Sequence, residues 1–146
     1  MTARPETRQL LHASCVALPD RDDGALIIGP SGAGKSSLAL MMMGFGARLV
    51  ADDNTHVTLQ GGRLYATPAP ATAGLIEARG IGILRVARPR PAVLRICVDL
   101  GQTQTERLPP AREHDILGLK LALVLGPCSP HLAAALMQLL RTSRQV

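Results

Sequence analysis

Apolar residues in this chain fall into short runs set off by polar turns, a pattern that favours strands over long helices. LLHASCVAL (10–18) and ALIIG (25–29) read as two strands joined by the polar turn PDRDDG. The second runs straight into a glycine-rich loop, after which Ser36 to Gly44 reads as a helix. ARLVA (47–51) is apolar enough for a strand buried on both faces, and it ends at the pair Asp52-Asp53. These segments make a strand, loop, helix, strand unit.

HVTLQGGRLYAT (56–67) alternates on both sides of Gly61-Gly62, which predicts a two-residue hairpin turn and a departure from purely parallel winding. A proline-rich loop at 68–71 leads to LIEARGIGILRV (75–86). AVLRICVDL (92–100) reads as a strand, and a polar connection at 101–114 precedes DILGLKLALVL (115–125). Ser129-Pro130 supplies an N-cap and first-turn proline for a last helix reaching about residue 142. The expected class is α/β: a mixed β-sheet with flanking helices and a phosphate-binding loop, in one domain over 1–146.

Composition narrows the chemistry. Tyr65 and Phe45 are the only aromatic residues, so the core is built from aliphatic side chains and methionine, and stacking platforms for single-stranded nucleic acid are missing. The net charge of +5 comes from fourteen arginines and two lysines, scattered except for the ARPRP segment at 87–91. That surface suits anionic ligands, but no basic run and no reading motif points to nucleic acid. Cys15, Cys97 and Cys128 have neither disulfide nor metal spacing, which fits reduced thiols in a cytoplasmic protein. MTARPETRQL has no apolar core of signal-peptide length, and Gly126 to Pro130 interrupt the uncharged stretch at 121–140, so no membrane span is expected.

Gly29-Pro30-Ser31-Gly32-Ala33-Gly34-Lys35-Ser36 satisfies the pattern G-x-x-x-x-G-K-[ST] between a strand and a helix. Small residues let successive backbone N–H groups turn onto a polyphosphate, and the helix N-terminus adds positive potential. Lys35 reaches the outer phosphates, and Ser36 can ligate Mg²⁺. Asp52-Asp53 stands where such proteins place a metal-binding acid; a solvated turn at Asp52-Asp53-Asn54 is the plainer alternative. Neighbours on an extended chain face opposite ways, so the two acids take different roles. The residues themselves give His12 no role. Glu77 and Arg79 open a glycine-flanked stretch that suits either close backbone approach or a surface turn.

GPSGAGKSSLAL, LVADD and IEARGIGIL, in this order and separation, resemble the catalytic domain of HPr kinase/phosphorylase, especially short proteobacterial forms without the N-terminal domain. The resemblance runs from about His12 to Val86. It implies an enzyme that phosphorylates a serine of the phosphocarrier HPr with ATP and removes it by phosphorolysis, with Mg²⁺ as cofactor and phosphate or pyrophosphate as alternative ligands. It implies nucleotide or phosphate at Gly29 to Ser36, with Lys35 catalytic. Asp52 would be the base on the serine hydroxyl, Asp53 would join Ser36 and Glu77 at the metal, and His12 would stand beside the catalytic acid. Arg79, Gly80 and Gly82 match the signature E-x-R-G-x-G, and a homo-oligomer, a hexamer in the family, is implied too.

The chain departs from that pattern at Ser37 and Asn54, where an acid and an arginine are common, and in its C-terminal segment, which offers no counterpart to a basic residue near the transferred phosphate. Two other functions use the same loop. A small-molecule kinase would need an arginine-rich lid, for which 101–114 with Arg107 and Arg112 is a poor candidate. A nucleotide-dependent switch would leave Asp52 without a catalytic task.

Overall fold

The computed structural model describes residues 7–86 and 88–142. The first six residues of the stretch read as lacking a signal peptide, and Ala87 of the ARPRP segment, lie outside the described residues. Strands β1 (Arg8–Leu11), β2 (Ser14–Ala17) and β3 (Asp23–Ile28) precede helix α1 (Lys35–Gly44). Then come β4 (Arg48–Ala51), β5 (Thr55–Gln60), β6 (Arg63–Pro68), β7 (Leu75–Ala78), β8 (Gly82–Arg85) and β9 (Ala92–Thr103). The chain continues through β10 (Glu113–Ile116), β11 (Leu119–Gly126) and α2 (Pro130–Arg141).

One mixed sheet runs in the order β1-β5-β6-β9-β3-β2-β4. Strand β9 is its organiser: one edge pairs in parallel with β3, and along the other edge β6 pairs antiparallel near its start and β11 in parallel further on. Strands β7 and β8 form a separate antiparallel hairpin. The central strands are buried on both faces, as parallel strands at the middle of an α/β sheet must be. Ala25 and Ile27 of β3 face a core cluster that includes Leu38 and Met42 of α1 and Leu136 and Met137 of α2, while Leu26 faces the second cluster with Val57 and Leu64. Burial of a side chain such as Leu38 stabilises the fold by about 1.5 to 3 kcal/mol.

Three details correct the sequence reading or go beyond it. The run 10–18 is two strands, because the chain breaks at His12-Ala13 between its pairing with β5 and its pairing with β3 and β4. Strand β4 does not lie beside β3, since β2 is inserted between them and hydrogen-bonds both in antiparallel fashion. The apolar run after the polar connection is a second hairpin, turning at Leu117-Gly118 with φ of 51° and 85°. The Gly61-Gly62 turn has φ of 58° and 75° at its two central residues, the left-handed pair that a two-residue hairpin demands. Ser129 caps α2, its hydroxyl accepting from the Leu132 N–H at 3.0 Å.

Candidate active site

Strand β3 stops at Ile28 and α1 starts at Lys35, so the glycine loop connects the centre of the sheet to a helix N-terminus. Gly34 caps that helix at φ 102°, and no side chain bonds to its first N–H groups, which leaves them for an anion. A β-carbon at Gly34 would also stand 3.1 Å from the Cys128 β-carbon. Lys35 is only 7% exposed and donates to the carbonyls of Gly29 at 2.8 Å and Pro30 at 3.1 Å. Its ammonium is thereby held across the loop.

Asp52 leaves the end of β4 and is 6% exposed. Three donors converge on it: Ser14 Oγ at 2.8 Å and Ser36 Oγ at 2.7 Å on one oxygen, and the Glu77 N–H at 3.2 Å on the other. The carboxylate thus joins β2, the glycine loop and the β7–β8 hairpin. Such charge-assisted bonds are the stronger kind, and together they fix its orientation.

Asp53 turns the other way, but strand alternation is not the cause. Its φ of 68° places it in the left-handed region that aspartate tolerates better than most residues, and the Asn54 N–H closes the bend onto the Asp52 carbonyl at 2.8 Å. The Asp53 carboxylate meets His12 Nε2 at 3.2 Å, both side chains being more than half exposed. His12 reaches it from the break between β1 and β2.

Two adjoining cavities gather these groups. One of about 150 Å³ is lined by His12, Gly32, Lys35, Ser36, Asp53, Glu77 and Arg79; a neighbour of about 330 Å³ adds Asp52, Thr72 and Ile83. Gly80 and Gly82 form the β7–β8 turn at φ of 84° and 142°, and nothing stands within 4 Å of a β-carbon at either, so they shape a surface turn rather than a close approach. A larger cavity of about 460 Å³ near Asp23 and Arg95 contains none of the expected site residues.

The donor set suits a magnesium nucleotide. Ser36 Oγ gives its proton to Asp52 and keeps lone pairs for a hard cation. Among the described residues no cluster of three or more His, Cys, Asp or Glu side chains could hold a metal ion.

The family model described as HPr Serine kinase C-terminal domain matches residues 6–90. The chain belongs to the HPr kinase C-terminal domain family. Proteins named HPr kinase/phosphorylase are 45% identical over 83 residues in Clostridium kluyveri, covering 57% of this chain and 26% of that protein, and 37% identical over 118 residues in Aromatoleum aromaticum, covering 71% and 38%. The chain thus spans well under half the length of these relatives. A solved structure of the Hpr(Ser) kinase/phosphatase from Coxiella burnetii shares the fold, with TM-score 0.71 and 24% identity over 91% of this chain and 88% of that one.

The HPr kinase match covers every expected site residue, from His12 to Gly82. Sequence reasoning missed Ser14, a fully buried hydroxyl that donates to Asp52 and accepts from the Asp53 N–H at 3.3 Å. Its one sequence signal is a hydroxyl inside an otherwise apolar run. Cys128 behind Gly34 had none.

Proposed function

We propose that this chain transfers the γ-phosphoryl group of ATP to a serine hydroxyl on HPr or an HPr-like phosphocarrier, and returns it to inorganic phosphate as pyrophosphate. The observation that carries this reading is the Ser36–Asp52 hydrogen bond of 2.7 Å beside the His12–Asp53 pair, all four residues lining the cavity of about 330 Å³. The loop N–H groups and Lys35 hold the phosphates, and Arg79 adds charge at the rim. Bound Mg²⁺ supplies neutralisation of phosphate charge beside Ser36.

The hydrogen bonds favour exchanging the roles that the family resemblance gave the two acids. Asp52, buried and satisfied by three donors, orients Ser36 toward the metal. Asp53, exposed and oriented by His12, takes the proton as the serine oxygen forms its bond to phosphorus and ADP leaves. In phosphorolysis an oxygen of inorganic phosphate bonds to the same phosphorus as its bond to the serine oxygen breaks, Asp53 returns the proton to that departing oxygen, and pyrophosphate is formed. Glu77 stands at the metal side through its backbone bond to Asp52.

Incubation with γ-labelled ATP, Mg²⁺ and purified HPr tests the reading. Label on the carrier serine, released as pyrophosphate on adding phosphate, is expected. Label on a small molecule would support the other kinase class, and nucleotide binding without transfer would support a switch. Cytoplasmic location and assembly into a hexamer belong to the same proposal, the second checked by light scattering.

A further inference from the structure

Strands β3, β9 and β11 are parallel, so their C-terminal ends open on one edge of the sheet, where α/β proteins place ligands. The glycine loop occupies that edge at β3. At the ends of β9 and β11 a cavity of about 420 Å³ opens between the connection 104–112 and the outer side of α2. Its walls are largely apolar, with Val124, Pro127, Leu132 and Ala135 among them, and its polar lining combines Arg107, Arg112 and His131 with Gln104, Glu106 and Ser129.

This cavity and the glycine loop are two sides of one short segment. A β-carbon at Gly34 would touch Cys128, whose neighbours Pro127 and Ser129 both line the cavity. A β-carbon at Gly29 would stand 3.3 Å from Leu100 and Gly101 of β9, and the Gln104 N–H closes onto the Gly126 carbonyl at 2.8 Å. The compartment therefore adjoins the loop across this segment, at the same edge of the sheet. The volume falls within the usual range for small-molecule pockets, roughly 300 to 1,000 Å³.

We propose that this cavity holds the purine base of the nucleotide, an inference that rests on the reading of the glycine loop as its phosphate site. Apolar walls take the faces of a flat heterocycle, and a guanidinium both stacks on such a ring and donates to its nitrogens. Arg107 makes no ion pair among the described residues, and Arg112 makes one at 3.7 Å with Glu106, so both remain adjustable. Arginine fills the place that aromatic residues hold in other sites; Tyr65 and Phe45 do not line the cavity.

Titration calorimetry with Mg-ATP and Mg-tripolyphosphate separates base from phosphate. The parent is expected to bind ATP about tenfold or more tighter than tripolyphosphate, and Ala135→Trp, at an exposed helix position, to erase that difference while keeping tripolyphosphate affinity within about twofold. Photolabelling of the unaltered chain with 8-azido-ATP gives a second reading that needs no variant, and the label is expected within 104–112 or 123–135. Equal affinities in the parent, an unchanged ATP preference in Ala135→Trp, or label on the β7–β8 hairpin would overturn the base site while leaving the phosphate site standing. Failure of both ligands to bind the parent at millimolar concentration would overturn both.

Discussion

Asp52 and Asp53 are consecutive residues in opposite surroundings. One lies on the floor of the cavity at 6% exposure with three donors around it, while the other stands at the rim with a side chain 56% exposed and a single imidazole for company. Burial and full satisfaction hold the first in one geometry, as a group that positions others requires. Solvent access leaves the second able to exchange a proton with an incoming hydroxyl. The left-handed bend at Asp53 is what allows one dipeptide to serve both surroundings.

The strongest way to break this contrast is at the rim. Asp53→Asn is expected to lower transfer in both directions by roughly 10² to 10⁴ while Mg-ATP affinity changes little, read by labelled transfer and calorimetry. Asp52→Asn should do the reverse: the two hydroxyls lose their charged acceptor, stability falls by about 1 to 3 kcal/mol in denaturant titrations, and the Mg²⁺ requirement rises. If the two variants swapped these signatures, the division of labour would be wrong.

A control at the loop sharpens the comparison. Lys35→Ala should cost about 10² to 10³ in transfer with the far-ultraviolet dichroism unchanged, because the lysine bonds loop carbonyls and touches neither acid. Transfer within tenfold of the parent would remove it from the site.

A smaller effect belongs to Ser14→Ala, which takes one of three donors from Asp52 and none from His12. Loss of about 1 kcal/mol in stability is expected, with little change in the pH profile of transfer.

A last prediction concerns the buried thiols and is read by pH rather than by substitution. Desolvation by burial pushes Cys15 and Cys97 up to about 12 from 9.0, Asp99 adding to the rise at Cys97. A raised pKa means that the folded chain holds these protons more tightly than the unfolded one. The associated stability is therefore complete below pH 9 and declines as pH climbs toward 12. Thermal melts from pH 8 to 11 would show the decline, and a flat profile would contradict it.

Sequence alone carried the loop, both helices and the first hairpin, because glycine spacing, caps and alternation are local signals. It placed His12 and Glu77 in the site only through resemblance, since what joins them to the loop is tertiary, whereas Asp52-Asp53 was marked by its place just past a buried strand. The hydrogen bond from Ser14 spans 38 positions to Asp52 and leaves no trace in local pattern. Alternation along an extended chain was the wrong reason for separating the two acids. It predicted opposed side chains, and the bend at Asp53, invisible in a D-D-N triplet, decides which acid faces the serine of the loop. The insertion of β2 beside β3 was equally hidden, because apolar runs say that a strand is buried and not which strand lies beside it.

The parallel pairing of β3 with β9 also has a consequence in time. Asp23 lies opposite Val93, so the strand that leads into the glycine loop meets its partner 70 residues later. On a ribosome adding about 5 to 20 residues per second, that partner emerges roughly 4 to 14 s behind it. Through that interval the loop lacks Leu100 and Gly101, on which Gly29 packs. The nascent chain accordingly carries its most recognisable motif long before it can fold it, and a chain ending near residue 90 would contain all the expected site residues without a site.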